Sequence, residues 1–494
     1  MNVNYKFKTK PFDHQLEALR QCTGKKEFGF FMEMGTGKSK VLLDDIARLY
    51  VEKEIHFALI IAPKGVYRNW VEKEIPQHFW EDVPVYLSKW SSNLTKALKE
   101  DISKMINCGF GKMKVFVMNV EAFSNVNGKG FEAAEWFAKK YGMSGLIAID
   151  ESTTIKNHKS KRTKALLKIS KHFRYKRILT GSPVTQSPMD IYSQCEFLRE
   201  GLLGFNSFYA FQGRYAILNQ KQMGPRSFKQ IIGFRNIEEL TDKIGEFTFR
   251  VLKENCLDLP KKVYTTRYIT MSPEQEKMYK KIQKEALYMF DDGEIVSTQE
   301  IITQMLRLQQ VLSGHLKTDD GKMVSFPTAR MDALIDICQE TSGKLIVWSR
   351  FRYDIISITS KLKQLFGEKS TASFFGDTSE KERQRIVRDF EDKGSELKFL
   401  IGNPSTAGRG LTLNQAKTVV YYANDFDLDI RSQSEDRCHR IGQTSSVLYI
   451  DLLCEKTIDE KIINSLKNKI KIGAKVLGEE EREWIQTKQI KLIS

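Results

Sequence analysis

A chain of 494 residues, 41% hydrophobic and 28% charged with only 31 Gly and 11 Pro, has the composition of a folded protein and is too long for one ordinary domain. It has no apolar run long enough to span a membrane, and its seven cysteines are scattered without a C-x-x-C pair, which argues against a membrane protein, a disulfide framework and a zinc site. A formal charge of +16 favours a polyanionic partner, because Lys and Arg displace condensed counterions from phosphates, although a merely soluble basic surface would give the same number.

Short apolar, β-branched runs at Phe57 to Ala62, Val115 to Met118, Leu146 to Ile149 and Arg177 to Leu179 predict buried parallel strands. They recur at Lys344 to Trp348, Leu397 to Ile401 and Thr418 to Tyr422. Amphipathic stretches such as Ser39 to Val51 and Lys381 to Phe390 predict the helices between them, so both parts of the chain read as βαβ-wound sheets. From 201 to 328 the pattern becomes longer and helical (Ser272 to Met289, Gln299 to Leu312), broken by the loop Asp291 to Glu294 and the turn Thr318 to Lys322. Thr457 to Trp484 is again helical and rich in charge. The expected order is an α/β lobe over 1–200, a mostly helical insertion over 201–328, a second α/β lobe over 329–470 and a helical extension over 471–494.

Glu33-Met34-Gly35-Thr36-Gly37-Lys38-Ser39 follows the apolar Phe28 to Met32 and opens a helix, the context that a phosphate cradle requires. Gly35, Thr36 and Gly37 would turn backbone N–H groups toward phosphates, Lys38 would reach the β/γ oxygens, and the Ser39 hydroxyl would bind Mg²⁺. The strict pattern wants Gly at position 32, where this chain has Met32. Leu146 to Ile149 then runs into Asp150-Glu151, an acidic pair placed to hold the Mg²⁺ shell (Asp150) and to polarise the attacking water (Glu151). Far along the chain, Arg437 and Arg440 would share one face of a helix and could neutralise γ-phosphate charge in the transition state. Phe205, Phe208, Tyr209, Phe211 and Tyr215 have a spacing that fits helix core better than a base-stacking platform.

Taken in order, these stretches resemble the Snf2-like branch of superfamily 2 helicase-type ATPases, two RecA-like lobes that use ATP and Mg²⁺ on DNA. Phe12 and Gln15 resemble the motif that reads adenine, and Gly35 to Ser39 the phosphate loop. Ala62 to Trp70 and Asn119-Val120-Glu121 are similar to motifs Ia and Ib. Asp150 to Asn157 resembles motif II, with Thr153 where family members often carry His, and Thr180-Gly181-Ser182-Pro183 resembles motif III. Leu345 to Phe351, Phe375-Gly376-Asp377 with Arg383, Ala407 to Leu413 and Gln433 to Gln443 resemble motif IV, the segment after it, motif V and motif VI. Motif V is one residue shorter than usual. The resemblance assigns Gly410 and Gln433 to the nucleotide and Lys64, Arg68, Asn119 and Arg350 to DNA. It also implies that the two arginines couple hydrolysis to lobe closure.

The function expected from this resemblance is an ATP-dependent DNA translocase or helicase that remodels branched DNA in replication, recombination or repair. An ATP-switched clamp, or a translocase that displaces proteins without separating strands, is the alternative. No reader module such as a bromodomain or chromodomain is recognisable, which suggests a compact phage or bacterial type, acting as a monomer with DNA and replication or recombination proteins. Its expected place is the cytoplasm, or the nucleus in a eukaryote.

Overall fold

The computed structural model describes residues 6–109, 111–223, 226–291, 298–318, 320–376, 378–407 and 411–479. Two compact units emerge: one holds residues 1–217, 233–258 and 472–480, and the other 218–232, 259–471 and 481–494.

In the first unit, β1 (Glu27–Met32), β2 (Phe57–Ala62), β3 (Val85–Lys89), β4 (Met113–Asn119), β5 (Gly145–Asp150) and β6 (Tyr175–Leu179) alternate with helices. A ribbon of β7 (Ala216–Met223) and β8 (Arg226–Phe234), whose residues 218–232 belong to the second unit, precedes β9 (Thr248–Val251) in the chain. Seven strands form one sheet in the order β3-β4-β2-β5-β6-β1-β9, and every pairing is parallel. The predicted strands of this unit fall on β2, β4, β5 and β6. They are legible because a sheet covered on both faces buries every side chain, and Phe57–Ala62 is buried throughout.

The second unit contributes β10 (Lys262–Ile269), the short pair β11 (His315–Lys317) and β12 (Met323–Ser325), β13 (Lys344–Ser349), β14 (Thr371–Phe374), β15 (Phe399–Gly402), β16 (Ala416–Ala423) and β17 (Val447–Cys454). Six of these make a second all-parallel sheet, β10-β17-β16-β13-β15-β14. Alternation along β13 divides its core: Leu345 and Val347 pack into one buried cluster, Ile346 and Trp348 into another.

The stretch 201–328 does hold the helices Pro273–Asp291 and Thr298–Leu312. It also lends β9 to the first sheet and β10 to the second. Both are sheet-edge strands, and β10 is largely half-buried or exposed, so neither carries the apolar run that marks a central strand. The C-terminal helix Ile458–Val476 ends in a turn at Leu477 and Gly478, short of the expected Trp484, and the residues from 480 lie outside the described ones. The expected loop at Asp291 to Glu294 also falls mostly outside them, and the turn Thr318 to Lys322 is described except at 319.

Candidate functional site

Parallel strands present their carboxyl ends along one edge, and in the first sheet the neighbours β5, β6 and β1 bring three loops together there. The loop after β1 turns twice through left-handed glycines, Gly35 (φ 83°) and Gly37 (φ 89°), before the helix Lys38–Val51 begins. Gly37 sits at φ 89°, which disfavours any other residue, and a Cβ there would also displace the Gln15 amide nitrogen, 2.2 Å away. That nitrogen donates to the Thr36 carbonyl at 3.0 Å while the Gln15 carbonyl accepts the Phe12 N–H at 3.1 Å. His14 also contacts the Thr36 carbonyl at 2.8 Å. Gln15 thus braces the phosphate loop, while the Phe12 ring stands 49% exposed and stacked over His14.

Met32 answers the departure at position 32. It is the last residue of β1, fully buried in the core, and its carbonyl accepts the Lys38 ammonium at 2.9 Å. The same ammonium reaches the Glu33 carbonyl at 3.4 Å. Lys38 is therefore folded back on the loop's own carbonyls, a buried cation held where phosphate oxygens would compete for it. Ser39 is half-buried beside it at the helix N-terminus.

β5 ends at Asp150, whose two oxygens accept from the Trp70 indole N–H at 3.0 Å and the Glu151 backbone N–H at 3.0 Å. Burial, with Glu151 adjacent, pushes the Asp150 carboxyl up to about 7, while the Lys38 charge pulls against that shift. The phosphate lysine and the acid pair are thus close enough to sense each other. Glu151 sits at φ 52°, a left-handed conformation that a non-glycine residue adopts only when its surroundings hold it there. Trp70 begins the π-helical turn Trp70–Glu74, and its indole orients Asp150. Its presence was visible in the sequence; its contact with Asp150 spans 80 residues and was not.

Arg437 and Arg440 differ from expectation in their local structure. The helix Leu428–Glu435 stops before them, and both lie in the turn beyond it. They converge all the same, because each guanidinium donates to the Leu411 carbonyl, at 3.2 and 3.4 Å, and Arg440 also donates to the Thr412 hydroxyl at 2.8 Å. Gln433, on the helix, donates to Asp429 at 3.0 Å, and its own carbonyl accepts from Arg437. Gly410 lies outside the described residues, as does Asp377.

Among the DNA candidates, Glu121 accepts from the Lys64 backbone N–H at 3.1 Å and from the Asn119 amide at 3.2 Å, which brings a negative charge among them. Arg68 is exposed. Arg350 is paired with Asp425 at 3.2 Å and donates to Gln309 at 3.2 Å. Of the aromatic cluster, Phe211 and Tyr215 are fully buried, Phe208 stacks on His158, and Tyr209 is 66% exposed. Core packing therefore accounts for most of it.

Two parallel-sheet lobes, one with a phosphate loop after β1 and an acidic pair at the end of β5, with only β6 between them, define a helicase-type P-loop architecture. The chain belongs to the SNF2-related family: residues 15–315 match the SNF2-related domain and residues 329–442 the helicase conserved C-terminal domain. It is similar to an uncharacterized ATP-dependent helicase of Mycoplasma pneumoniae, 24% identical over 97% of this chain and 43% of the relative. It is also similar to the DNA annealing helicase and endonuclease ZRANB3 of Homo sapiens, 26% identical over 91% of this chain and 39% of that protein. The chain thus spans about two-fifths of the length of these relatives. A solved Sulfolobus solfataricus SWI2/SNF2 ATPase core in complex with dsDNA aligns at 23% identity and TM-score 0.41 over 94% of this chain and 92% of that one. No helix among the described residues is long and apolar enough to cross a membrane.

Proposed function

We propose that this chain is an ATP-hydrolysing motor that moves on DNA and acts on branched structures. The observation that carries the reading is the pairing of a glycine-turned phosphate loop with a half-buried acidic pair in which the Asp150 carboxyl feels the charge of Lys38. Lys38 would leave the Met32 carbonyl for the β/γ-phosphates, exchanging a neutral acceptor for charged ones. Phe12, exposed beside the loop, would stack on the base, with Gln15 fixing its backbone. Glu151 would take the proton of the attacking water. Arg437 and Arg440 would act on the charge that develops on the transferred phosphoryl group.

The residues suit a Mg²⁺ ion. Burial and the adjacent Glu151 charge push the Asp150 carboxyl up to about 7, so a bound cation would favour its ionised form, and the Ser39 hydroxyl adds a neutral oxygen. Ser39 and Asp150 would hold the ion, which when bound neutralises charge on the β- and γ-phosphate oxygens.

DNA as the track is supported by family membership and the +16 charge, and branched DNA by the relative named as a DNA annealing helicase. Lys64, Arg68, Asn119 and Arg350 are the proposed contacts, and Arg350 must release Asp425 to serve. The test is one ATPase series without nucleic acid and with single strand, duplex, fork, four-way junction and RNA, paired with displacement of a labelled strand and of a protein roadblock. Stimulation strongest with forks and junctions is expected. Equal stimulation by linear duplex would remove the preference for branches, stimulation without displacement would favour the ATP-switched clamp, and no stimulation would remove DNA.

A further inference from the structure

Ser152, next to the acidic pair, is linked to the loop after β6 through the side chain of Gln194. Ser152 and Gln194 are both fully buried. The Ser152 hydroxyl donates to the Gln194 side-chain oxygen at 2.7 Å. The Gln194 nitrogen donates to the carbonyls of Pro183 and Asp190, each at 2.8 Å. Two carbonyls on one side fix the orientation of the amide, which leaves its oxygen only the Ser152 hydroxyl to accept from.

The Pro183 end of this connection belongs to a loop pressed against the nucleotide site. A Cβ at Gly181 would meet the Met34 backbone nitrogen of the phosphate loop at 3.1 Å. The other end adjoins Glu151, whose left-handed backbone needs to be held from outside. A second strut runs alongside: the Lys156 ammonium donates to the Thr185 hydroxyl at 2.7 Å, and Asp190 gathers the Thr185 and Gln186 N–H groups at 3.0 and 2.7 Å.

We propose that Gln194 is a positioning residue: by pinning Ser152 to the Pro183 carbonyl it holds Glu151 in its left-handed conformation and aims the carboxylate at the attacking water. This rests on the reading of Glu151 as the general base of an ATPase. Gln194 touches neither substrate nor metal. Its effect falls on kcat, because a mis-aimed base spares ATP binding and slows the chemical step.

The experiment compares the full chain with Ser152→Ala and with Ser152→Ala/Gln194→Met, measuring kcat, KM for ATP, binding of a fluorescent ATP analogue and the melting temperature, with and without DNA. Ser152→Ala leaves the Gln194 oxygen buried without a donor, and the double variant removes that oxygen but takes the Gln194 donor from the Pro183 and Asp190 carbonyls, so the melting temperature of each variant is its own control for folding. A kcat lowered on the order of tenfold in both variants, with KM and analogue binding within about twofold of wild type, is expected. Wild-type kcat in the double variant would overturn the proposal. So would a loss of kcat matched by the same loss in analogue binding or folded fraction, since packing alone would then explain it. A wild-type chain that hydrolyses no ATP in any arm would bring down the functional reading itself, a failure visible without either variant.

Discussion

Lys38 shows how a residue's surroundings set what its removal does. The ammonium is buried and bonded to the Met32 and Glu33 carbonyls, so Lys38→Ala removes a partner from the loop as well as from the phosphates. Hydrolysis should fall by more than tenfold, with a stability loss of about 1 kcal/mol from the carbonyl left without its donor. Steady-state ATPase and urea denaturation measure the two effects, and turnover above a tenth of wild type would remove Lys38 from phosphate binding. Asp150 makes a prediction with a definite sign. Its carboxyl, burial-shifted from an ordinary 3.8 to about 7, is favoured in the protonated form by folding. That contribution to stability is fully present below the unfolded value near 4 and is lost as pH rises through 7. Without nucleotide, Asp150→Asn should therefore gain on wild type in unfolding free energy from about pH 4 to pH 7 and run parallel to it above. A difference independent of pH would mean that the pair holds no proton in the folded state.

At the scale of elements, the turn after Leu428–Glu435 matters more than the helix itself. A helix would have placed Arg437 and Arg440 side by side by periodicity; the turn brings them together on the Leu411 carbonyl. Arg440 gains a neutral acceptor in Thr412, and the Leu413 N–H bonds back to the Arg437 carbonyl at 2.9 Å, so the segments resembling motifs V and VI are one hydrogen-bonded piece. Arg440→Ala should lower kcat by roughly a hundredfold or more with little effect on KM, and Thr412→Val by a smaller factor in the same direction. Full kinetics on both variants would show this. A pure KM effect would make Arg440 a ground-state ligand, and an unchanged Thr412→Val would free Arg440 of that anchor.

For the whole molecule, the charge of +16 is the property that acts at range. If DNA is held through phosphates, stimulation at fixed DNA concentration should fall at least tenfold between about 50 and 200 mM salt, while ATPase without DNA changes little. Stimulation that ignores salt would point to contacts with bases or to a partner other than a polyanion.

The sequence alone determined most of the central strands, though not β17, and the composition of the phosphate loop and acidic pair. Their cause is local: a strand buried on both faces is apolar throughout, and a phosphate cradle needs glycine at Gly35 and Gly37 whatever the rest of the chain does. Edge strands escaped notice because β10 is largely exposed or half-buried and its partner β17 lies 185 residues away by register, from Lys262 paired with Val447 to Ile269 paired with Cys454. Only the tertiary structure decided that Met32 serves the core, that Gln15 braces Thr36, that Trp70 orients Asp150 and that Gln194 ties Ser152 to Pro183. Each of those contacts joins residues distant along the chain, and a hydrogen bond between distant residues leaves no periodicity for a sequence to display.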